Sequence, residues 1–222
     1  MKILFDQLAD INEAIYRNII AVTFDEFDDL SPNPKARAYA HKLTSHENNH
    51  HAIDFVFKQK SWGQTRYGNG TYPVWYGSLE LNTSFYETFY HYYKTFIEAP
   101  HGFSTRNHGL FITNRSVFTV SCHAALIDLR HHCAAHRELL NPNDYEFTQS
   151  IGLRIHKEGY PGLITKSVRF ASGNSLAIFN KNVLSSPKPH GNFRYEYDPA
   201  NQTVNVINHD INQSVQIFNY NF

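Results

Sequence analysis

The chain of 222 residues is long enough to bury a sizeable core and short enough for one domain, and its 20 basic and 20 acidic side chains cancel to a formal charge of zero. Without net charge there is no global field to draw it to nucleic acid or to an anionic membrane, so neither partner is expected. Two cysteines, Cys122 and Cys133, are too few for a disulfide framework. No stretch approaches the roughly 18 apolar residues of a membrane span, and Asp6 interrupts the start before an apolar leader develops, so a cytoplasmic protein is the expectation.

In chain order, apolar residues at Leu4, Leu8, Ile11, Ile15 and Ile19 recur at close to helical spacing. They predict a helix to about Asn12, then an extended segment carrying Tyr16 and Arg17. The acidic run Asp25, Glu26, Asp28 and Asp29 leads into the turn signal SPNP and a short helix from Lys35. In the polar loop HKLTSHENNHH, His46, His50 and His51 lack a cysteine or carboxylate at the spacing of zinc sites, so no metal is expected there. Ile53 to Lys58 reads as a strand.

The stretch QTRYGNGTYPVWYGSLELNTSFYETFYH reads as a glycine-rich turn carrying Arg66, a strand from Tyr72 to Ser78, and a helix from about Asn82. That order sets Tyr76 and Glu87 on either side of a strand-to-helix turn, a common place for a site. The helix, Thr83 to Ile97, carries Phe85, Phe89, Tyr92 and Phe96 on one stripe and Tyr86, Tyr90 and Tyr93 on another, the pattern of a helix packed on two sides. Ser84 and Glu87 also fit a capping box, in which the carboxylate only returns to the helix start.

Ser116 to Leu129 alternates as one long strand or two short ones, and LRHHCAAHRELL turns helical. His132 and His136 flank Cys133 at i and i+4 without a third ligand nearby, so a metal face is not expected. A helix in YEFTQSIGLRIHKEG ends at Gly159. GYPGLITKSVRFASGNSLAIFN holds two short strands about a Ser-Gly-Asn turn, with Ser167 between them. FRYEYDPANQTVNVI then forms a hairpin about DPANQ, followed by a last strand in SVQIFNYNF.

Four of these pieces, in order and spanning Arg17 to Asn180, resemble the RES-domain family, named for an Arg-Glu-Ser set. They are YRN at Arg17, TRYGNGTYPVWYGS, YETFYH with Glu87, and the segment around Ser167. The eleven-residue step from Tyr76 to Glu87 is similar to the family's strand-to-helix spacing. The resemblance implies an α+β fold similar to ADP-ribosyltransferases, a single domain over 1–222 with a split β core and flanking helices. Its core motifs would occupy about 15–180, with a C-terminal hairpin and strand in 193–222.

By the same resemblance the chain is a toxin that destroys NAD by breaking the nicotinamide–ribose bond, with water or inorganic phosphate as acceptor. It would need no metal and no other cofactor, and a cognate antitoxin would block its active site. The implied catalytic residues are Arg17, Tyr76, Glu87 and Ser167. The implied NAD-binding residues are Arg17, Arg66, Tyr67, Tyr76 and Ser167. The family's Gly-Gly-Arg-aromatic turn falls on Gln64, Thr65, Arg66 and Tyr67, so two glycines are replaced here.

The chemistry suits those residue types. Nicotinamide leaves as a neutral group, so one carboxylate suffices where ordinary glycosidases need two. Glu87 would stabilise the oxocarbenium-like ribose, the arginines would fork onto the pyrophosphate, and Tyr76 would face the cationic ring. Ser167 would set its hydroxyl against the nicotinamide ribose or a phosphate. Rival readings are a mono-ADP-ribosyltransferase acting on a macromolecule, a binding module in which Glu87 is a cap and Arg17 a surface ion pair, and a histidine-metal hydrolase.

Overall fold

The computed structural model describes residues 2–20, 33, 35, 52–98, 106–107 and 109–220. The expected helix from Lys35 and His46, His50 and His51 lie outside the described residues, apart from Lys35 itself, which is helical. The architecture is α+β, as expected. The strands are β1 (Leu8–Ile20), β2 (Trp75–Ser78), β3 (Arg106–Asn107), β4 (Leu110–Asp128), β5 (Gly162–Lys166), β6 (Asn174–Ile178), β7 (Leu184–Asp198), β8 (Thr203–Asn208) and β9 (Gln213–Asn219). The main helices are α1 (Leu81–Tyr92), continued by a π turn at Tyr93–Ile97, and α2 (Glu146–Glu158).

The strands run in the order β1-β2-β6-β5-β4-β7-β8-β9, and β1 also pairs with β4. Five strands, β1, β2, β6, β5 and β4, therefore close into a ring. The long β4 makes this possible by pairing with β1, β5 and β7, besides the two-residue β3. One edge pairs β1 from Ile127 back to Arg115. The other takes β7 from Phe111 to Cys122 and then β5, in parallel, at Ile127 and Asp128. The β core splits at that change of partner, and β7, β8 and β9 continue as an antiparallel meander.

Ring closure is thinnest between β1 and β2, which share the single pair Tyr16↔Ser78. The ring interior holds Ile11, Ile15, Trp75, Val120, Leu126, Ile164, Leu176 and Ile178. A second apolar cluster joins Tyr67, Tyr72, Leu163, Ile151 and Ile155 under α2. The third lies between α1 and the meander, where Phe85, Phe89 and Tyr92 meet Val117, Phe193, Tyr195, Tyr197 and Phe218.

The aromatic helix is packed on two sides, as its stripes predict. Tyr86 stacks on Phe170 and Phe218, with ring centroids 4.8 and 3.9 Å apart. The strands flanking Ser167, the hairpin about DPANQ and the last strand also form where the sequence places them. Gly159 caps α2 at φ 76°, a left-handed conformation that glycine adopts without penalty.

Three expectations fail. Residues to Asn12 are not one helix: only Lys2–Phe5 forms a 3-10 turn, and β1 begins at Leu8 and pairs with β4 along its whole length. A helix would turn Leu8 inward, whereas the strand leaves it 59% exposed and buries Ile11 and Ile15 on the other face. Residues 52–58 are helical and not a strand, seating Ala52 and Ile53 against the ring cluster. The run LRHHCAAHRELL forms only two 3-10 turns, Arg130–His132 and Arg137–Leu140.

Candidate active site

The turn before β2 is built to hold the hydroxyl of Tyr76. The Tyr67 amide and the Thr65 hydroxyl both lie in hydrogen-bonding range of it, at 2.9 and 2.8 Å. Thr65 stands where the family pattern has a glycine, so the departure supplies a partner for the phenol. The turn closes through Thr65 N donating to Gly68 O at 2.7 Å. From the other side α2 approaches so closely that a β carbon at Gly152 would lie 1.9 Å from the Tyr67 carbonyl oxygen. Burial raises both phenols, Tyr67 to about 12, with neighbouring Arg66 pulling the other way.

Arg66, on the same turn, donates from Nη1 to the carbonyls of Asn141 and Leu139, at 2.8 and 3.4 Å, and lies over the Tyr145 ring. Those partners are neutral, and Arg66 forms no ion pair among the described residues. Arg169 anchors the same loop, donating to Pro142 O at 2.7 Å, with its guanidinium 3.3 Å from the Tyr90 ring centroid.

Arg17 points from β1 to the ring interior beside Trp75 and donates from Nη1 to the carbonyl of Tyr76 at 2.6 Å. It thereby staples β1 to β2 where the ladder has one pair. Burial lowers its pKa to about 10, and among the described residues its Nε has no partner and it forms no ion pair.

Glu87 does not close a capping box. Ser84 Oγ donates to Leu81 O, and the residue at the helix start is Glu80. The Glu87 carboxylate turns instead to the β5–β6 hairpin, where Oε1 accepts from Ser167 Oγ at 2.7 Å and from Ser175 Oγ at 3.4 Å. Ser167 Oγ in turn accepts the amides of Arg169 and Phe170, at 3.1 and 3.0 Å. One hydroxyl thus folds the Ser167–Phe170 turn and aims the carboxylate.

His91, one turn beyond Glu87 on α1, shows that these groups share one place. Its side chain is exposed, yet its pKa is lowered, first by the protein mass around it and then by Arg169, Arg66 and Arg17, against the opposing pull of Glu87. The charges of Glu87, Arg169, Arg66 and Arg17 all reach His91. Arg17, Arg66, Tyr76, Glu87 and Ser167 are thus brought together. Arg169, His91 and Ser175 were missed, although Arg169 lies two residues beyond Ser167 and His91 one helical turn beyond Glu87.

The other histidine pair lies elsewhere. His132 Nε2 is 2.9 Å from Asp6 Oδ1, and the His132 and His136 rings are 6.2 Å apart. Among the described residues no three His, Cys, Asp or Glu side chains are grouped to hold a metal.

The family model for the RES domain matches residues 36–198. The chain belongs to the RES domain family. The matched span contains Arg66, Tyr67, Tyr76, Glu87, Ser167 and Arg169, while Arg17 lies outside it. A search of curated proteins finds no match. Among solved structures the RES domain is similar to a chain of the M. tuberculosis MbcT-MbcA toxin-antitoxin complex, at 13% identity and a TM-score of 0.49. The match covers 82% of this chain and 86% of that one.

Proposed function

We propose that this RES domain cleaves the nicotinamide–ribose bond of NAD and acts as a toxin that a cognate antitoxin holds in check by covering this site. The reading rests on one observation: the Glu87 carboxylate is held by Ser167 and Ser175, while it and the guanidiniums of Arg17, Arg66 and Arg169 all act on the charge of His91. Three cations and one carboxylate leave two positive charges, which match the two negative charges of a pyrophosphate.

In this reading Glu87, fixed by Ser167 and Ser175, takes a ribose hydroxyl and stabilises the charge that grows on the ribose as nicotinamide leaves. The electron pair of the breaking C–N bond returns to the pyridinium ring, so no proton is needed there. Arg66 and Arg169, braced on the 139–142 loop and on tyrosine faces, direct positive charge to the pyrophosphate. Arg17 adds to that field and fixes the backbone of Tyr76. Water or inorganic phosphate completes the reaction, and the α+β fold is read as ADP-ribosyltransferase-like.

Incubation of purified protein with NAD carrying separate labels on nicotinamide and adenine tests this. Free nicotinamide is expected, with the adenine label in a small molecule. Intact NAD after prolonged incubation would overturn the reading, and adenine label on protein would favour a transferase.

A further inference from the structure

The helix that carries Glu87 begins with a second carboxylate, Glu80, which the reading above leaves unused. Glu80 stands seven residues before Glu87, with extended backbone. Glu80 occupies the N-cap position but makes no side-chain cap to the helix amides. Its carboxylate reaches across to the first residue of β6. Oε2 accepts the Asn174 amide at 2.8 Å and the Thr83 hydroxyl at 2.7 Å, and Oε1 accepts Asn174 Nδ2 at 2.6 Å. Leu79 N returns a bond to Asn174 O at 3.1 Å.

Asn174 lies between the two supports of Glu87. Its successor, Ser175, reaches Glu87 directly. Its predecessor, Gly173, accepts the Ser167 amide on its carbonyl at 2.9 Å, and Ser167 holds Glu87. The junction leaves no room for slack: a β carbon at Gly173 would lie 2.1 Å from Thr83 Oγ1, and Thr83 is fully buried.

We infer that Glu80 is a positioning residue, a latch that ties the start of α1 to the β5–β6 hairpin so that Glu87 meets Ser167 and Ser175 in register. The inference rests on the proposed NAD cleavage only for its kinetic consequence. Both oxygens of this carboxylate accept, so one side chain gathers three donors. A glutamine can regain the third bond by turning over the Asn174 amide, whose Oδ1 has no partner among the described residues, whereas alanine removes every acceptor.

The test is Glu80→Ala, alone and combined with Glu87→Gln. Native-state hydrogen exchange reads the latch without reference to activity, and protection of the Asn174 and Ser167 amides is expected to fall at least about tenfold while β7 and β8 keep theirs. In turnover, Glu80→Ala is expected to lower kcat about tenfold with KM for NAD changed less than about twofold, and to cost nothing further in the Glu87→Gln background. Unchanged exchange at Asn174 and Ser167 would overturn the latch. An equal loss of kcat with Glu87 present or absent would overturn its action through Glu87. A wild-type protein inert towards NAD would contradict the functional reading and leave the exchange result to judge the latch.

Discussion

Replacing Ser167 by alanine removes one oxygen that makes three bonds, and the structure divides the consequences between stability and catalysis. The Arg169 and Phe170 amides, now 3.1 and 3.0 Å from Oγ, lose their acceptor in a turn where Arg169 is only 5% exposed. An amide left unpaired in such surroundings costs about 1–3 kcal/mol, so a loss of about 2–4 kcal/mol is expected. In a chain of this length that lowers Tm by roughly 4–16 °C. The third bond, 2.7 Å to Glu87, is charge-assisted and worth about 1.5–3 kcal/mol. Ser175 still faces the carboxylate, at 3.4 Å, so turnover per folded molecule is expected to fall about 10- to 100-fold. Denaturant unfolding and nicotinamide release, measured on Ser167→Ala and on Ser167→Thr, separate the two effects, because threonine keeps the hydroxyl. A Ser167→Ala protein as stable and as active as wild type would refute the reasoning.

Gly152→Ala places a β carbon 1.9 Å from the Tyr67 carbonyl and pushes α2 off the turn that carries Arg66, which is expected to cost about 3 kcal/mol. Gly63→Ala, with open space at its β carbon, is the control and is expected to be neutral by urea unfolding. His91 has a folded pKa below the ordinary 6.5, from burial first and then from Arg169, Arg66 and Arg17. The unfolded chain therefore binds this proton more tightly, so the contribution is complete above pH 6.5 and is lost as pH falls below it. His91→Gln is expected to flatten that acid slope of stability, and an unaltered slope would place His91 outside the field of the arginines.

Local signals carried much of the fold. The two aromatic stripes of α1, the glycine stop at Gly159 and the DPANQ hairpin are determined within a few residues of sequence, and each formed as read. β1 was misread because Leu4, Leu8, Ile11, Ile15 and Ile19 satisfy a helical period, while the partner that settles the matter, β4, is about a hundred residues away. The capping box at Ser84 and Glu87 failed for a similar reason. Glu87 finds Ser167 and Ser175 eighty and more residues on, and such donors outrank a local return to the helix start. The resemblance placed Glu87 and Ser167 in one site, but the bond between them, and with it the role of Ser167 as a support, appears only in three dimensions. Arg17 was expected at the pyrophosphate. The structure engages its Nη1 with the Tyr76 carbonyl, at the joint where the strand ring closes.

The claim at the centre of this account is that the Glu87 carboxylate drives loss of nicotinamide from NAD. Comparison of purified wild-type and Glu87→Gln protein, both shown to be folded, tests it most directly through the initial rate of nicotinamide release. The account predicts that wild type releases nicotinamide and that Glu87→Gln does so at least about a hundredfold more slowly. Equal rates from the two proteins would contradict it.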